Sequence, residues 1–185
     1  MNKQANAELD GLLKEIAAGD EEAFRKLYDL THNSVYFYLF RILKDKDLAE
    51  DVIVETYTAV WKGAKKFEGR SKVQTWIFGI ARNLAFNEFR KRKPVDRIDD
   101  YPHLATNGRL AMEAVDRKRV VEQALLKISP KHREVLDLVF FHGLSYAEIG
   151  DLLKISVNTV KTRVFYAKKA LYKTLDEMGV KKDDL

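Results

Sequence analysis

The 185-residue sequence predicts an all-α fold of two helical domains joined by a flexible linker. Three observations carry this. Apolar residues recur at three- and four-residue spacings, with no run of strand-type alternation. Glycine and proline are scarce, at nine and three residues. Where they do gather, in 94–112 (PVDRIDDYPHLATNGRLAM), the periodicity lapses. The predicted organisation is a domain over 1–94, a linker over 95–112, a domain over 113–180 and a tail over 181–185.

In the first domain Asp20 opens a capping pattern ahead of Glu21 and Glu22. The residues Phe24, Leu27, Tyr28, Val35, Tyr36, Tyr38, Leu39 and Ile42 follow as one helix. Asp47 is predicted to cap the next, with Glu50 at its third position. Its apolar residues are Val52, Ile53, Thr56, Ala59, Val60 and Trp61. Lys62 to Lys72 contains Gly63 and Gly69 and reads as a loop with a short turn. A long helix is predicted from about Lys72 to Lys93, burying Val73, Trp76, Ile77, Ile80, Leu84 and Phe89, and Pro94 stops it. Trp76 reads as core rather than as a stacking platform. Fully extended, the linker could span about 60 Å.

The second domain begins with a helix from about Asp116 to Lys127. Ser129-Pro130 is an N-cap followed by proline at the first helical position. That helix is predicted to carry Val135, Leu136, Leu138, Val139 and Phe140. Ser145-x-x-Glu148 is a capping box that starts a short helix burying Ile149, Leu152 and Leu153. Lys154-Ile155 forms a tight turn and Ser156 caps the last helix, where Val160, Val164, Ala167 and Leu171 make one stripe.

Composition narrows the function classes. There is no cysteine, so disulfides and thiolate chemistry are absent. No apolar run approaches membrane-span length and no secretory leader is evident, which points to the cytoplasm. The four histidines, His32, His103, His132 and His142, form no metal-ligand spacing, and neither a phosphate loop nor a catalytic triad can be picked out. No metal, cofactor or enzymatic activity is expected. The net charge is only +5, but residues 62–97 alone carry +8, flanked by acidic 44–61. Clustered Lys and Arg are the footprint of a nucleic-acid partner.

A short helix, a tight turn and a longer basic helix make a helix-turn-helix. Its second helix should enter the major groove. The face opposite the apolar stripe shows Asn158, Lys161, Thr162, Phe165, Tyr166 and Lys169, with Arg163 and Lys168 on the flanks. Lys and Arg can donate to guanine, and Thr and aromatic rings can meet thymine methyls. Lys168, Lys169 and Lys173 suit phosphates.

The segment LSYAEIGDLLKISVNTVKTRVFYAKKAL, with its run-up ISPKHREVLDLVFFHG, resembles the promoter −35 reading domain of bacterial sigma factors, region 4. GDEEAFRKLYD, LAEDVIVETYTAVW and FEGRSKVQTWIFGIARNLAFNEFRKRK are similar, in order, to successive parts of sigma region 2. Two regions at this length resemble the extracytoplasmic-function (ECF) group of the sigma-70 family. The resemblance implies a factor that binds core RNA polymerase through its β′ clamp and β flap, directs it to promoter DNA and assists melting. It also implies an anti-sigma factor that holds the free protein inactive. Glu50, Asp51, Val54 and Glu55 match the polymerase-docking surface, with Val54 standing where many relatives carry glutamine. An acidic stripe suits a basic partner. Lys72, Arg82, Asn83, Asn87 and Arg90 match the element that captures the −10 strand. Asn83 and Asn87, four apart, share one face. Lys91, Arg92 and Lys93 could hold the backbone, and Phe67 and Gly69 could shape the capturing loop. Gly79 stands where some relatives have a polar residue.

Two other classes remain open on the residues alone. A helix-turn-helix regulator with an N-terminal sensory domain would need a ligand cavity in the first half. A protein adaptor without DNA contact would lack steep salt dependence.

Overall fold

Among the described residues, 3–92 and 114–180, the computed structural model contains eight α-helices and no strand. The chain divides into two units, Met1–Asp96 and Arg97–Leu185. The predicted linker over 95–112 and the tail over 181–185 lie outside the described residues.

The first unit packs four helices: α1 (Lys3–Ala18), α2 (Glu21–Leu43), α3 (Lys46–Gly63) and α4 (Val73–Arg92). No motif singled out α1, yet Leu9, Leu12, Leu13 and Ile16 recur at amphipathic spacing and all are buried. Gly19, at φ 100°, reverses the chain, and the Asp20 carboxylate accepts from the Glu22 and Ala23 N–H groups at 2.8 and 3.0 Å. Helix α2 buries Leu27, Thr31, Val35, Tyr38, Leu39 and Ile42 along one stripe.

The expected cap at Asp47 is corrected to Asp45, which accepts from Leu48 N–H at 3.0 Å. Helix α2 runs to Leu43 and Lys44 closes it in the left-handed region at φ 55°. Asp45 is then the first residue in an extended conformation, the geometry an N-cap requires. Asp47 sits two residues later, within the first turn, favourable to the helix dipole but not a cap.

Helix α4 turns a different face inward from the one expected. Val73 and Ile77 are buried as expected, but Thr75, Phe78, Ala81 and Ala85 complete the buried set, while Trp76, Ile80, Leu84 and Phe89 are half-buried. The helix packs against α1, α2 and α3. Apolar residues surround it, so periodicity could not choose the face, and the alanines permit close approach. Phe78 meets Tyr38 edge-on at 5.0 Å. Between α2 and α3, Thr31 donates to the Leu27 carbonyl at 2.6 Å, which leaves the Tyr57 hydroxyl to donate to Thr31 at 2.7 Å. Burial pushes the Tyr57 phenol well above its ordinary pKa.

The second unit contains α5 (Ala114–Lys127), α6 (Pro130–Leu136), α7 (Tyr146–Leu153) and α8 (Val157–Glu177). Arg133 is buried at the α5–α6 corner. It donates to the carbonyls of Leu125, Leu126 and Ile128 at 2.7, 2.8 and 3.3 Å. Its guanidinium thus serves carbonyls that a helix end leaves unpaired, and its charge complements the dipole there. Ser129 caps α6 with Pro130 at its first position.

After α6 the backbone widens into a π-helical turn over Asp137–Phe141. The extra residue in that turn shifts later side chains around the axis. Val139 is therefore only half-buried and Phe140 is 58% exposed, against expectation. His142 folds back into the interior, its Nε2 at 3.1 Å from the Asp137 carboxylate.

Candidate nucleic-acid interface

The second unit's surface is fixed by caps. The Ser145 hydroxyl accepts from Glu148 N–H at 3.3 Å, while the Glu148 carboxylate accepts from Ser145 N–H at 2.8 Å. Lys154 then takes the left-handed conformation at φ 58°. Ser156 accepts from Thr159 N–H at 3.1 Å and starts α8. At Gly150 a Cβ would stand 2.9 Å from the Ile155 carbonyl oxygen, so the turn has no room for even a methyl group unless the backbone shifts.

Helix α8 is held by Val160, Val164 and Ala167, all buried, with Leu171 half-buried. Its other face presents Asn158, Lys161, Thr162, Phe165, Tyr166, Lys168 and Lys169 to solvent. Phe165 is 65% exposed and packs edge-on against Tyr166 at 5.4 Å. Lys168 reaches over the Phe140 ring at 5.0 Å. Arg163 is half-buried on the flank. Burial, and then the charge of Arg163, lowers the His132 pKa. Phe140 was not foreseen as part of this surface, because the π turn that exposes it leaves no local signature.

In the first unit Lys72 is exposed just before α4, and its carbonyl accepts from Trp76 N–H at 3.0 Å. The Trp76 indole closes over Gly63, where a Cβ would stand 3.1 Å away, and its ring lies 5.1 Å from Phe67. It braces the loop and the end of α3. Along α4, Asn83 is exposed and Asn87 half-buried. Arg82 lies over the Phe86 ring at 4.4 Å. Arg90 donates to the Asn87 carbonyl oxygen, and Lys91 pairs with Glu88. The Glu88 hydrogen bond, and then its charge, raise the Lys91 pKa. Glu88 was not anticipated: it places a carboxylate within the basic face. The side chain of Arg92 and all of Lys93 lie outside the described residues.

Glu50, Asp51 and Glu55 form an exposed acidic stripe on α3, and Val54 in its midst is 67% exposed. Lys46 pairs with Glu50 at 3.6 Å. Glu55 also borders a groove of about 430 Å³ lined by Leu84, Asn87, Glu88, Arg90 and Lys91, so the acidic stripe and the basic helix adjoin. Among the described residues no group of three or more His, Asp or Glu could hold a metal ion. No helix there is long and apolar enough to cross a membrane.

The family pattern Sigma-70 region 2 matches residues 27–95, and Sigma-70, region 4 matches residues 118–171. The ECF RNA polymerase sigma factor SigW of Bacillus subtilis is 31% identical over 179 residues, covering 90% of this chain and 96% of that one. SigX of the same organism is 32% identical over 166 residues, covering 84% and 85%. SigK of Mycobacterium tuberculosis is 28% identical over 181 residues, covering 92% and 95%. Among solved structures, CnrH in complex with the cytosolic domain of CnrY aligns with a TM-score of 0.69 at 22% identity, covering 92% of this chain and 98% of that one. RpoE in complex with the anti-sigma factor NepR from Bartonella quintana aligns at 0.64 and 24%, covering 83% and 96%. At these identities the two structures speak for the fold alone.

Proposed function

Because the chain belongs to the ECF sigma factors of the sigma-70 family, we propose that its two helical units divide promoter recognition between them. The chain is a promoter-directing initiation factor, acting with core RNA polymerase and promoter DNA. In our reading, residues 1–94 bind polymerase and the −10 element, residues 113–180 bind the −35 element, and residues 95–112 tether the two. Tethering raises the effective concentration of the second unit once the first is bound.

The observation that carries this division is a contrast between two basic helices. The α8 face is exposed, rigidly capped and held by a buried stripe, which suits a preformed major groove. Asn158, Lys161, Thr162, Phe165 and Tyr166 are assigned to base edges, and Arg163, Lys168 and Lys169 to the phosphates that set register. On α4, amides and cations share one face, which suits an unpaired strand. Asn83 and Asn87 are assigned to base edges, and Lys72, Arg82 and Arg90 to the backbone. Extruding a base costs a few kcal/mol. Binding energy on the open strand offsets that cost, so the mechanism calls for no nucleotide hydrolysis by this chain.

Glu50, Asp51, Val54 and Glu55 are assigned to the β′ clamp, where acids steer a basic surface and Val54 contributes apolar contact. The second unit is assigned to the β flap. We further propose that an anti-sigma factor holds the free chain inactive, as its fold neighbour RpoE is paired with NepR, and that the protein works in the cytoplasm. The test is reconstitution with bacterial core polymerase and sequencing of the transcripts made. Transcripts sharing defined upstream −35 and −10 sequences are expected. Start sites no different from those of core enzyme alone would overturn the assignment.

A further inference from the structure

The π turn after α6 sets an aromatic ring where core packing does not call for one. Phe140 is 58% exposed, so burial does not account for it. The turn that carries it is tied down. The His142 N–H donates to the Asp137 carbonyl at 3.2 Å, and the Leu144 N–H donates to that of Leu138 at 3.0 Å. Beneath, the buried His142 ring meets the buried Asp137 carboxylate. Phe140 therefore stands at a fixed place beside α8.

There it meets Lys168, whose ammonium lies 5.0 Å from the ring centroid. Asn158, Lys161, Phe165 and Lys168 fall at i, i+3, i+7 and i+10 and share one face of α8. Lys168 is at the C-terminal end of that face, past the N-terminal half that meets base edges. Lysines elsewhere in the molecule are held by carboxylates: Lys91 by Glu88, and Lys173 by Glu177 at 3.7 Å. A carboxylate fixes an ammonium but cancels its charge. A ring face attracts the ammonium through its quadrupole and carries no net charge, so the positive charge remains for an anion. The ammonium has three donors, and those turned away from the ring stay open to a phosphate. A lysine already held on a ring also has less rotamer freedom to lose on binding.

We propose that Phe140 is a positioning residue for DNA: it holds Lys168, still charged and already aligned, for the phosphate backbone of the −35 duplex. This rests on the assignment of Lys168 to phosphate. Acting through a phosphate contact, Phe140 sets affinity and leaves sequence preference unchanged.

The experiment measures equilibrium binding of the full chain, joined to core polymerase, to two duplexes. One bears the upstream sequence that its transcripts share, and the other has the −35 segment scrambled. Phe140→Leu, which keeps apolar bulk but removes the ring, should weaken binding about two- to fivefold on both. Phe140→Tyr, which restores a ring, should recover the parent's affinity. Lys168→Ala should weaken binding on both and make its salt dependence shallower by about one phosphate. In the Lys168→Ala background Phe140→Leu should cost nothing further, an outcome that a merely structural role would not give. Melting curves select folded variants, and Phe140→Met replaces Phe140→Leu should the latter not fold. If Lys168→Ala weakens binding while Phe140→Leu binds like the parent, or if the two losses add, Phe140 does not act through Lys168 and the proposal is overturned. A loss confined to the unscrambled duplex would mean base reading and overturns it too. So does a Phe140→Leu loss in joining core polymerase with duplex binding intact, since the ring then serves a protein. If Lys168→Ala is itself silent, the phosphate assignment falls and takes this proposal with it.

Discussion

Helices α8 and α4 are both basic and both assigned to DNA, yet they hold their polar side chains differently. On α8 the residues assigned to base edges stand in solvent on a helix pinned by the buried Val160, Val164 and Ala167. On α4 Asn83 is exposed, but its polar neighbours are engaged within the protein: Arg82 on Phe86, Arg90 on Asn87, Lys91 on Glu88. A duplex groove exists before the protein arrives, so a fixed donor array loses little entropy in meeting it. An unpaired strand exists only after melting. Under the proposed assignment, side chains satisfied internally until then would exchange their partners for bases and phosphates without being left unpaired in the closed state. The contrast fits the proposal that one helix reads and the other captures.

The largest test removes the scaffold from the reading helix alone. Arg133→Met should cost the second unit about 2–4 kcal/mol, since three carbonyls at the α5–α6 corner lose their donor. Denaturant unfolding measures this, and −35 duplex binding should fall while −10 strand binding holds. Lys161→Ala should weaken −35 binding by about 1–3 kcal/mol on the cognate sequence. An equal loss on scrambled duplex, read by competition titration, would make Lys161 a phosphate contact and blur the comparison.

Asn83→Ala should cost about 1–2 kcal/mol in open-complex formation, on the scale of one base contact. Permanganate footprinting reads the melted bases, and polymerase binding should stay unchanged. Loss of polymerase binding would mean that α4 does not act as a capturing surface. Lys154→Gly should stabilise the second unit by about 1 kcal/mol, because a left-handed residue with a Cβ is strained. Melting measures it, and unchanged −35 affinity would indicate that the recognition helix is already rigid.

The smallest effect is a pH dependence beside α8. His132 has its folded pKa lowered below the ordinary 6.5 by burial and by Arg163. The unfolded chain therefore binds the proton more readily than the folded one. Stability from this site is present above the ordinary histidine range and is lost as pH falls through it. His132→Gln should narrow the drop in melting temperature between neutral and mildly acidic buffer. An identical drop in the variant would assign the effect to another group.

Much of this was legible along the chain because it is local. The capping box at Ser145 and Glu148, the caps at Asp20, Ser129 and Ser156, and the Val160–Val164–Ala167 stripe involve residues within one or two turns of each other. So does the side of α8 on which the polar residues fall. The Asp45 cap escaped because it depended on where α2 ended, which packing of Ile42 and Leu43 decides.

The sequence by itself determined the helices, the turn between α7 and α8, and the charge that marks two basic surfaces, since hydrogen bonds within a turn and helical periodicity need no distant partner. Only the tertiary structure decided which face of α4 is buried and that a π turn exposes Phe140. It alone brought Glu88 against Lys91 and Lys168 over the Phe140 ring. Those outcomes turn on how closely one helix approaches another, and close approach is set by the shapes of residues far apart in the chain.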